Sequence, residues 1–283
     1  MANRKLDMGR AWTLATGLMG ANRDTIGAIA GLFFFLPSLI TAIFVPELAN
    51  PQSSAPPSGA DPDAAMQALM AQMSAVYATN WPLLLGVLVI QFVGSMSLLA
   101  LLTDRGRPTV GEALGTGLKS IPAYLAAQII SSLGAGIAAG VPFGIIAAVA
   151  PPAVTVIAAL VLVIAIVYLF IKFALIAPVI AIEGERNPIT ALKRSWQLTK
   201  GNSLRILLFL FLLMFTIGII ATLVSAVLTL ILSALGEPVA TIGTNVVSGL
   251  VNALVTVIFL VVTVAIHRQL AGPSSEALAE TFE

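Results

Sequence analysis

The residues able to do chemistry are concentrated between Glu183 and Gly201, in EGERNPITALKRSWQLTKG, where Glu183, Glu185, Arg186, Lys193, Arg194 and Lys200 stand between two apolar runs. The spacing predicts a helix with defined ends. Asn187 can accept a hydrogen bond from a first-turn N–H, Pro188 suits the first helical position, and Gly201 suits a left-handed stop. At about 100° per residue, Thr190, Lys193, Arg194, Gln197 and Lys200 share one arc, and Ile189, Ala191, Leu192, Trp196 and Leu198 share the other. Cations opposite an apolar face with a tryptophan are the chemistry of a membrane surface, where the cations meet anionic headgroups and the indole sits at headgroup depth. Surface acids next to basic residues balance charge more often than they form a catalytic pair, which is how Glu183, Glu185 and Asp104 read.

The other chemistry-bearing residues are few. Lys172 is the one charge inside a predicted span, and its long stem predicts snorkelling to the inner headgroups, with Glu183 or a lipid phosphate as partner. Asn245, Ser248, Asn252 and Thr256 form a stripe that is predicted to face the bundle, since amides turned to lipid would lack partners. A polar path for a headgroup is the sharper reading of the same stripe. His267 has no carboxylate, serine or second histidine near it in sequence, so it reads as interfacial. The absence of cysteine removes disulfides and thiolate sites, and a single histidine makes a His-based metal site a poor expectation. No phosphate-binding glycine loop, H-E-x-x-H or nucleophile elbow occurs, so neither a cofactor nor a catalytic constellation is expected.

The elements that must position these residues are membrane helices. At 58% hydrophobic, 10% charged and a mean hydropathy of +1.02, the chain is too apolar for a soluble domain. It reads as one all-α integral membrane domain over 1–283. Six spans are predicted, at 26–45, 83–102, 121–149, 153–182, 206–235 and 239–266. The first is preceded by Arg23 and Asp24 without a small-residue cleavage site, which does not read as a secretory signal. A Pro/Ser-rich linker is expected at 46–60 and a polar, disordered tail at 271–283. Between the linker and the second span, Asp61 can cap a Met-rich amphipathic helix that carries Met66, Met70, Met73 and Tyr77 and lies over the bundle or on the outer leaflet. Gly134, Gly136 and Gly140 in the third span predict close approach of a neighbouring helix. Net charge is +1 and predicts no nucleic-acid partner, but thirteen of the fourteen Lys and Arg residues fall in segments on one face. By the positive-inside rule both termini are cytoplasmic.

Arg10-Ala-Trp12-Thr-Leu14-Ala-Thr-Gly17 aligns with Arg194-Ser-Trp196-Gln-Leu198-Thr-Lys-Gly201, and Thr109 with Glu112 has capping-box spacing at the head of a third charged connection. The chain therefore divides into three expected units, 1–103, 104–182 and 183–270, each a cytoplasmic amphipathic helix followed by a transmembrane hairpin.

The run Phe173-Ala-Leu-Ile-Ala-Pro178-Val-Ile-Ala-Ile-Glu183, followed by Ala191-Leu192-Lys193-Arg194-Ser195-Trp196-Gln197-Leu198-Thr199-Lys200-Gly201, resembles a bacterial family. It is similar to the membrane domain attached to some glycerophosphodiester phosphodiesterases and to related stand-alone six-span proteins, over about 153–269. The activity of those enzymes resides in a separate soluble barrel, and nothing after Leu270 is long enough to be one, so the resemblance implies a membrane module with no active-site residues to carry over. The expectation is a non-enzymatic protein that engages phospholipid headgroups through Arg10, Trp12, Lys172, Arg186, Lys193, Arg194, Trp196 and Lys200, and organises lipid, a protein partner or a second copy of itself. Two other readings stay open: a transporter or flippase of an amphipathic substrate, and an accessory subunit of a larger membrane complex.

Overall fold

The computed structural model describes residues 5–49, 62–103 and 108–272, and among these every regular element is a helix. Asp7 caps the first, α1 (Met8–Ala21), its carboxylate accepting from the Arg10 N–H at 3.0 Å. The first span is assembled from α2 (Arg23–Ala30), a π-helical segment at Gly31–Phe35 and α3 (Leu36–Phe44). The third span has the same construction, with α6 (Val110–Ala135), a π-helical segment at Gly136–Gly140 and α7 (Val141–Val149). In both cases the widened turn lies just before a proline, Pro37 or Pro142. A proline supplies no N–H and crowds the carbonyl four residues back, and one extra residue in the turn relieves both without ending the helix.

Two surface helices expected from the sequence prove continuous with their spans. α5 (Pro62–Leu101) joins the Met-rich segment to the second span and carries Pro82 inside it; α6 joins the segment after Thr109 to the third span and carries Pro122. A proline costs a helix one ladder bond but does not stop it in the absence of a residue that turns the chain away. The capping box at the start of α6 forms as its spacing predicts, Thr109 N–H donating to Glu112 Oε2 at 2.8 Å and Glu112 N–H to Thr109 Oγ1 at 3.3 Å. Next come α8 (Pro152–Phe173), the short α9 (Ile176–Ile182), α10 (Pro188–Thr199), α11 (Ser203–Ser233) and α12 (Val239–Ala271). The stops on either side of α10 are real turns, with Gly184 at φ 75° and Gly201 at φ 81°, conformations that a side chain disfavours.

Among the described residues six helices or helix runs are long and apolar enough to cross a membrane: Arg23–Phe44, Ala64–Leu101, Val110–Val149, Pro152–Ile182, Ser203–Ser233 and Val239–Ala271. The all-α, six-span reading stands. The linker begins with a four-residue helix, α4 (Pro46–Ala49). The rest of it, with Asp61, Asp104 and the tail from 273, lies outside the described residues.

The chain folds as two compact units. The first comprises residues up to Arg23, Met96–Phe215 and those from Ile258. Its centre holds Met96, Leu98, Leu99, Leu102, Leu175, Ile176, Ile180, Ile206, Val261 and Ile266, all buried. The second, Asp24–Ser95 with Thr216–Val257, buries Phe34, Val45, Ala253 and Val257, and packs Gly94 on Phe33 and Gly249 on Phe35. Large apolar side chains are exposed along both, such as Val149, Ile164 and Leu230, an arrangement suited to lipid as the surrounding solvent.

The glycines expected to admit a neighbouring helix do not do so. A Cβ on Gly134, Gly136 or Gly140 would meet nothing within 4 Å, because that part of the third span presents its small residues to open space. The close approach in the first unit is at Gly117, where a Cβ would lie 2.7 Å from the backbone nitrogen of Ser97 and 2.9 Å from its Cα. Backbone cannot retreat as a flexible side chain can. Gly117→Ala is therefore expected to destabilise the detergent-solubilised protein by about 1–3 kcal/mol despite alanine's better helix propensity. Gly134→Ala is expected to be neutral or to stabilise by up to about 1 kcal/mol. Thermal unfolding of the two variants against the parent checks the pair.

Candidate functional site

The charged segment builds its site in the first unit around Glu183, which follows the last residue of α9. Gly184 turns the chain there, and α10 returns against α9, α8 and α6. From the middle of α10, Arg194 Nε donates to both Glu183 oxygens, at 3.2 and 3.0 Å. From the far end of α12, His267 Nε2–H donates to Glu183 Oε1 at 2.9 Å. The next residue, Arg268, donates from Nη2 to the Leu102 carbonyl at 2.6 Å, tying α12 to the end of α5. Burial alone would raise the Glu183 carboxyl pKa, but the hydrogen bonds and charges of His267 and Arg194 outweigh it and hold the group down at about 2.

His267 is the residue that sequence reasoning missed. It is 3% exposed and bonded to a carboxylate 84 positions away, a separation with no local signature. A carboxylate oriented on a histidine is two parts of an acid–base–nucleophile set. The ring's other nitrogen, Nδ1, is buried and meets no hydrogen-bond partner, so no hydroxyl stands there to be activated. Among the described residues, no group of three or more His, Cys, Asp or Glu side chains could hold a metal ion.

Lys172 departs from the snorkelling expectation. It is buried at 3% exposure, and its Nζ lies 5.3 Å from the Tyr168 ring centroid and 5.2 Å from that of Trp196. Two aromatic faces take the place of the headgroup or carboxylate partner, because α10 folds Trp196 over the end of α8. Trp196 is held there by Tyr168 edge-on at 5.9 Å and by Phe173 at 5.8 Å. The helix breaks just beyond, at Ala174–Leu175, and Ser195 Oγ donates to the Lys172 carbonyl at 2.7 Å. Ser195 is fully buried, as are Ala191 and Thr199, and Leu198 is buried with them, so the inward face of α10 packs on protein and keeps Ala191 and Leu198 from the predicted apolar arc while adding Ser195 and Thr199. Ile189 from that arc is exposed.

The outward face of α10 carries Lys193 and Lys200, both exposed. Exposed Arg186, just before α10, donates from Nη1 to Ser120 Oγ on α6 at 2.7 Å, next to exposed Lys119. None of these four cations lies within ion-pair distance of a described carboxylate; the carboxylate of Glu183 is taken by Arg194 and His267. The α1 segment joins the same unit through its start. Leu6 N–H donates to Asn202 Oδ1 at 2.9 Å, Asp7 N–H to Gln269 Oε1 at 2.9 Å, and Arg205 Nη1 to the Leu6 carbonyl at 3.3 Å. Arg10 and Trp12 are exposed on α1, whereas Ala11 and Ala15, aligned with Ser195 and Thr199, are fully buried as those are. Gly17 stays helical where its aligned counterpart Gly201 ends α10.

The stripe on α12 does not turn inward as a whole. Asn245 is half-buried, but Ser248 and Asn252 are exposed, and the buried arc there is Gly249, Ala253 and Val257. Asn252 Nδ2 is satisfied by Ser38 Oγ at 3.1 Å, and Thr256 bonds back to the Asn252 carbonyl at 2.8 Å. The Asn252 bond runs between helices, from α12 to α3, whereas that of Thr256 is local to α12.

Six apolar helices with a charged, ion-paired turn define a multi-pass helical membrane protein. Residues 141–271 match the family model described as the membrane domain of glycerophosphoryl diester phosphodiesterase, and Glu183, Arg194, Ser195 and His267 all lie inside the match. The resemblance read from the Pro178 and Ser195 motifs is thereby shown for this part of the chain, and it concerns a membrane domain and not a catalytic one. No curated protein and no solved structure matches the chain.

Proposed function

We propose that this protein is a non-enzymatic, multi-pass protein of the bacterial inner membrane, with both termini cytoplasmic, that gathers anionic phospholipid headgroups at its basic surface and organises lipid or a partner protein there. The observation that carries the reading is the set of exposed cations, Lys119, Arg186, Lys193 and Lys200, with no described carboxylate in reach, beside an internally neutralised Glu183. Four cations on adjoining elements with no counter-charge among the described residues favour an external anion, and near a membrane each cation contributes about 1 kcal/mol towards anionic lipid. Trp196 and Trp12, both partly exposed, supply the interfacial ring that accompanies such contacts. Lys172 and Arg194 act from below, holding Trp196 and α10 in place.

Lipid that binds the folded protein and not the unfolded chain raises its melting temperature. Phosphatidylglycerol added to the protein in neutral detergent is expected to raise it more than equal phosphatidylcholine, and Lys193→Gln with Lys200→Gln to erase most of the difference. Equal shifts from both lipids in the parent protein would contradict the proposal.

A further inference from the structure

We propose that a cavity between α6, the α8–α9 break and α12 is a binding site for a membrane glycerolipid, with its ester and glycerol region against α6 and an acyl chain along an aromatic wall. The cavity encloses about 360 Å³, which falls in the range of roughly 300–1,000 Å³ for small-molecule sites. One side is polar: Tyr124, Gln128 and Ser131, at i, i+4 and i+7 of α6, together with Thr263 of α12. The other is formed by Phe170, Phe173 and Phe259 with aliphatic neighbours, and among the described residues no charged one lines it. Such a lining selects a neutral amphipathic group and gives an ion nothing to pair with.

Two independent features point to an occupant. The Gln128 carboxamide is half-buried at membrane depth and, among the described residues, its side chain has no hydrogen-bond partner. An unpartnered amide is costly in hydrocarbon, where no water can replace the missing bond. The hydroxyls of Ser131 and Thr263 already donate to the carbonyls of Gln128 and Leu260, at 3.0 and 2.7 Å, so their oxygens remain as acceptors and the Gln128 NH2 remains as donor. An ester carbonyl accepts from that donor, and a glycerol or headgroup hydroxyl donates to those acceptors. The second feature is the interruption of the fourth span, whose Phe173, Ala174, Ile176 and Ala177 all line the cavity. Broken backbone within a span belongs where it lines a cavity. Ile166 and Phe170 are exposed at the rim, so a lipid reaches the site sideways from the bilayer. A whole partner helix, about 10 Å across, does not fit. The site is distinct from the basic surface and stands whether or not that surface binds headgroups.

Native mass spectrometry of the full chain in detergent, delipidated and then given 1-palmitoyl-2-oleoyl-glycerol, a neutral diacylglycerol that keeps one free hydroxyl, tests the site. One lipid should remain on the parent. Gln128→Leu, which removes only the amide hydrogen bonds, is expected to weaken retention about tenfold. Ala177→Phe, which fills the cavity, should abolish it. Lys193→Gln with Lys200→Gln should leave it unchanged, which separates this site from the proposed surface. No retained lipid on the parent, or retention by Gln128→Leu equal to the parent's, would overturn the proposal. Gln128→Leu alone decides if Ala177→Phe does not yield a monodisperse helical protein.

Discussion

Glu183→Ala is expected to lower the unfolding free energy by about 1–3 kcal/mol, the cost of leaving part-buried hydrogen-bond donors without their acceptor. Arg194 and the 3%-exposed His267 both spend their hydrogen bonds on Glu183, so one substitution strands donors from α10 and α12 together. Glu183→Gln keeps the shape and an acceptor oxygen but loses the charge, and is expected to fall between the parent and Glu183→Ala. The pH dependence has a definite sign. The folded carboxyl titrates near 2, against an ordinary value of 4.5, so its contribution is fully present above pH 4.5 and is lost as pH falls towards 2. Each pKa unit is about 1.4 kcal/mol, which sets an upper bound of about 3 kcal/mol that solvent screening of the part-exposed carboxylate lowers. Melting temperature followed in detergent between pH 6 and pH 3 should fall more steeply for the parent than for Glu183→Gln. Parallel slopes would show that the carboxylate is not the group being titrated.

Ser195→Ala is the second large effect. The serine is fully buried, and its hydroxyl donates at 2.7 Å to the Lys172 carbonyl beside the break in the fourth span. Alanine fits the space and has the better helix propensity, yet leaves a buried carbonyl unsatisfied, for a net loss of about 1–3 kcal/mol. Ser195→Thr retains the donor but adds a methyl to a fully packed position, which costs by crowding. A melting temperature for Ser195→Ala equal to the parent's would mean that the Lys172 carbonyl finds another partner.

The parts of this architecture that were legible in the sequence are those set by local chemistry. The six apolar runs, the Asn187 and Thr109 caps and the Gly201 stop each depend on neighbours a few residues away, and each formed as read. The continuity of α5 and α6 was hidden because Pro82 and Pro122 look like boundaries, whereas a proline kinks a membrane helix that nothing else interrupts. The inward face of α10 was only partly legible, with Ala191 and Leu198 buried as read and Ser195 and Thr199 added to them. Ser195 belongs to neither predicted arc, since a lone serine carries no periodic signal, and the broken fourth span offers it a carbonyl that the sequence does not advertise. Lys172 was likewise given a lipid partner because its rings, Tyr168 and Trp196, come from two helices. The Glu183–His267 bond joins positions 84 apart, and only the fold brings them together.

The central claim is that the exposed cations around α10 recruit anionic lipid. Extraction of the protein into native-lipid particles, with mass spectrometry of the lipids that remain, measures it most directly. The parent should carry a higher fraction of phosphatidylglycerol and cardiolipin than the membrane it came from, and Lys119→Gln, Arg186→Gln, Lys193→Gln and Lys200→Gln combined should return that fraction to the bulk value. A parent protein whose lipid matches the bulk membrane, or a combined variant that keeps the enrichment, would contradict the account.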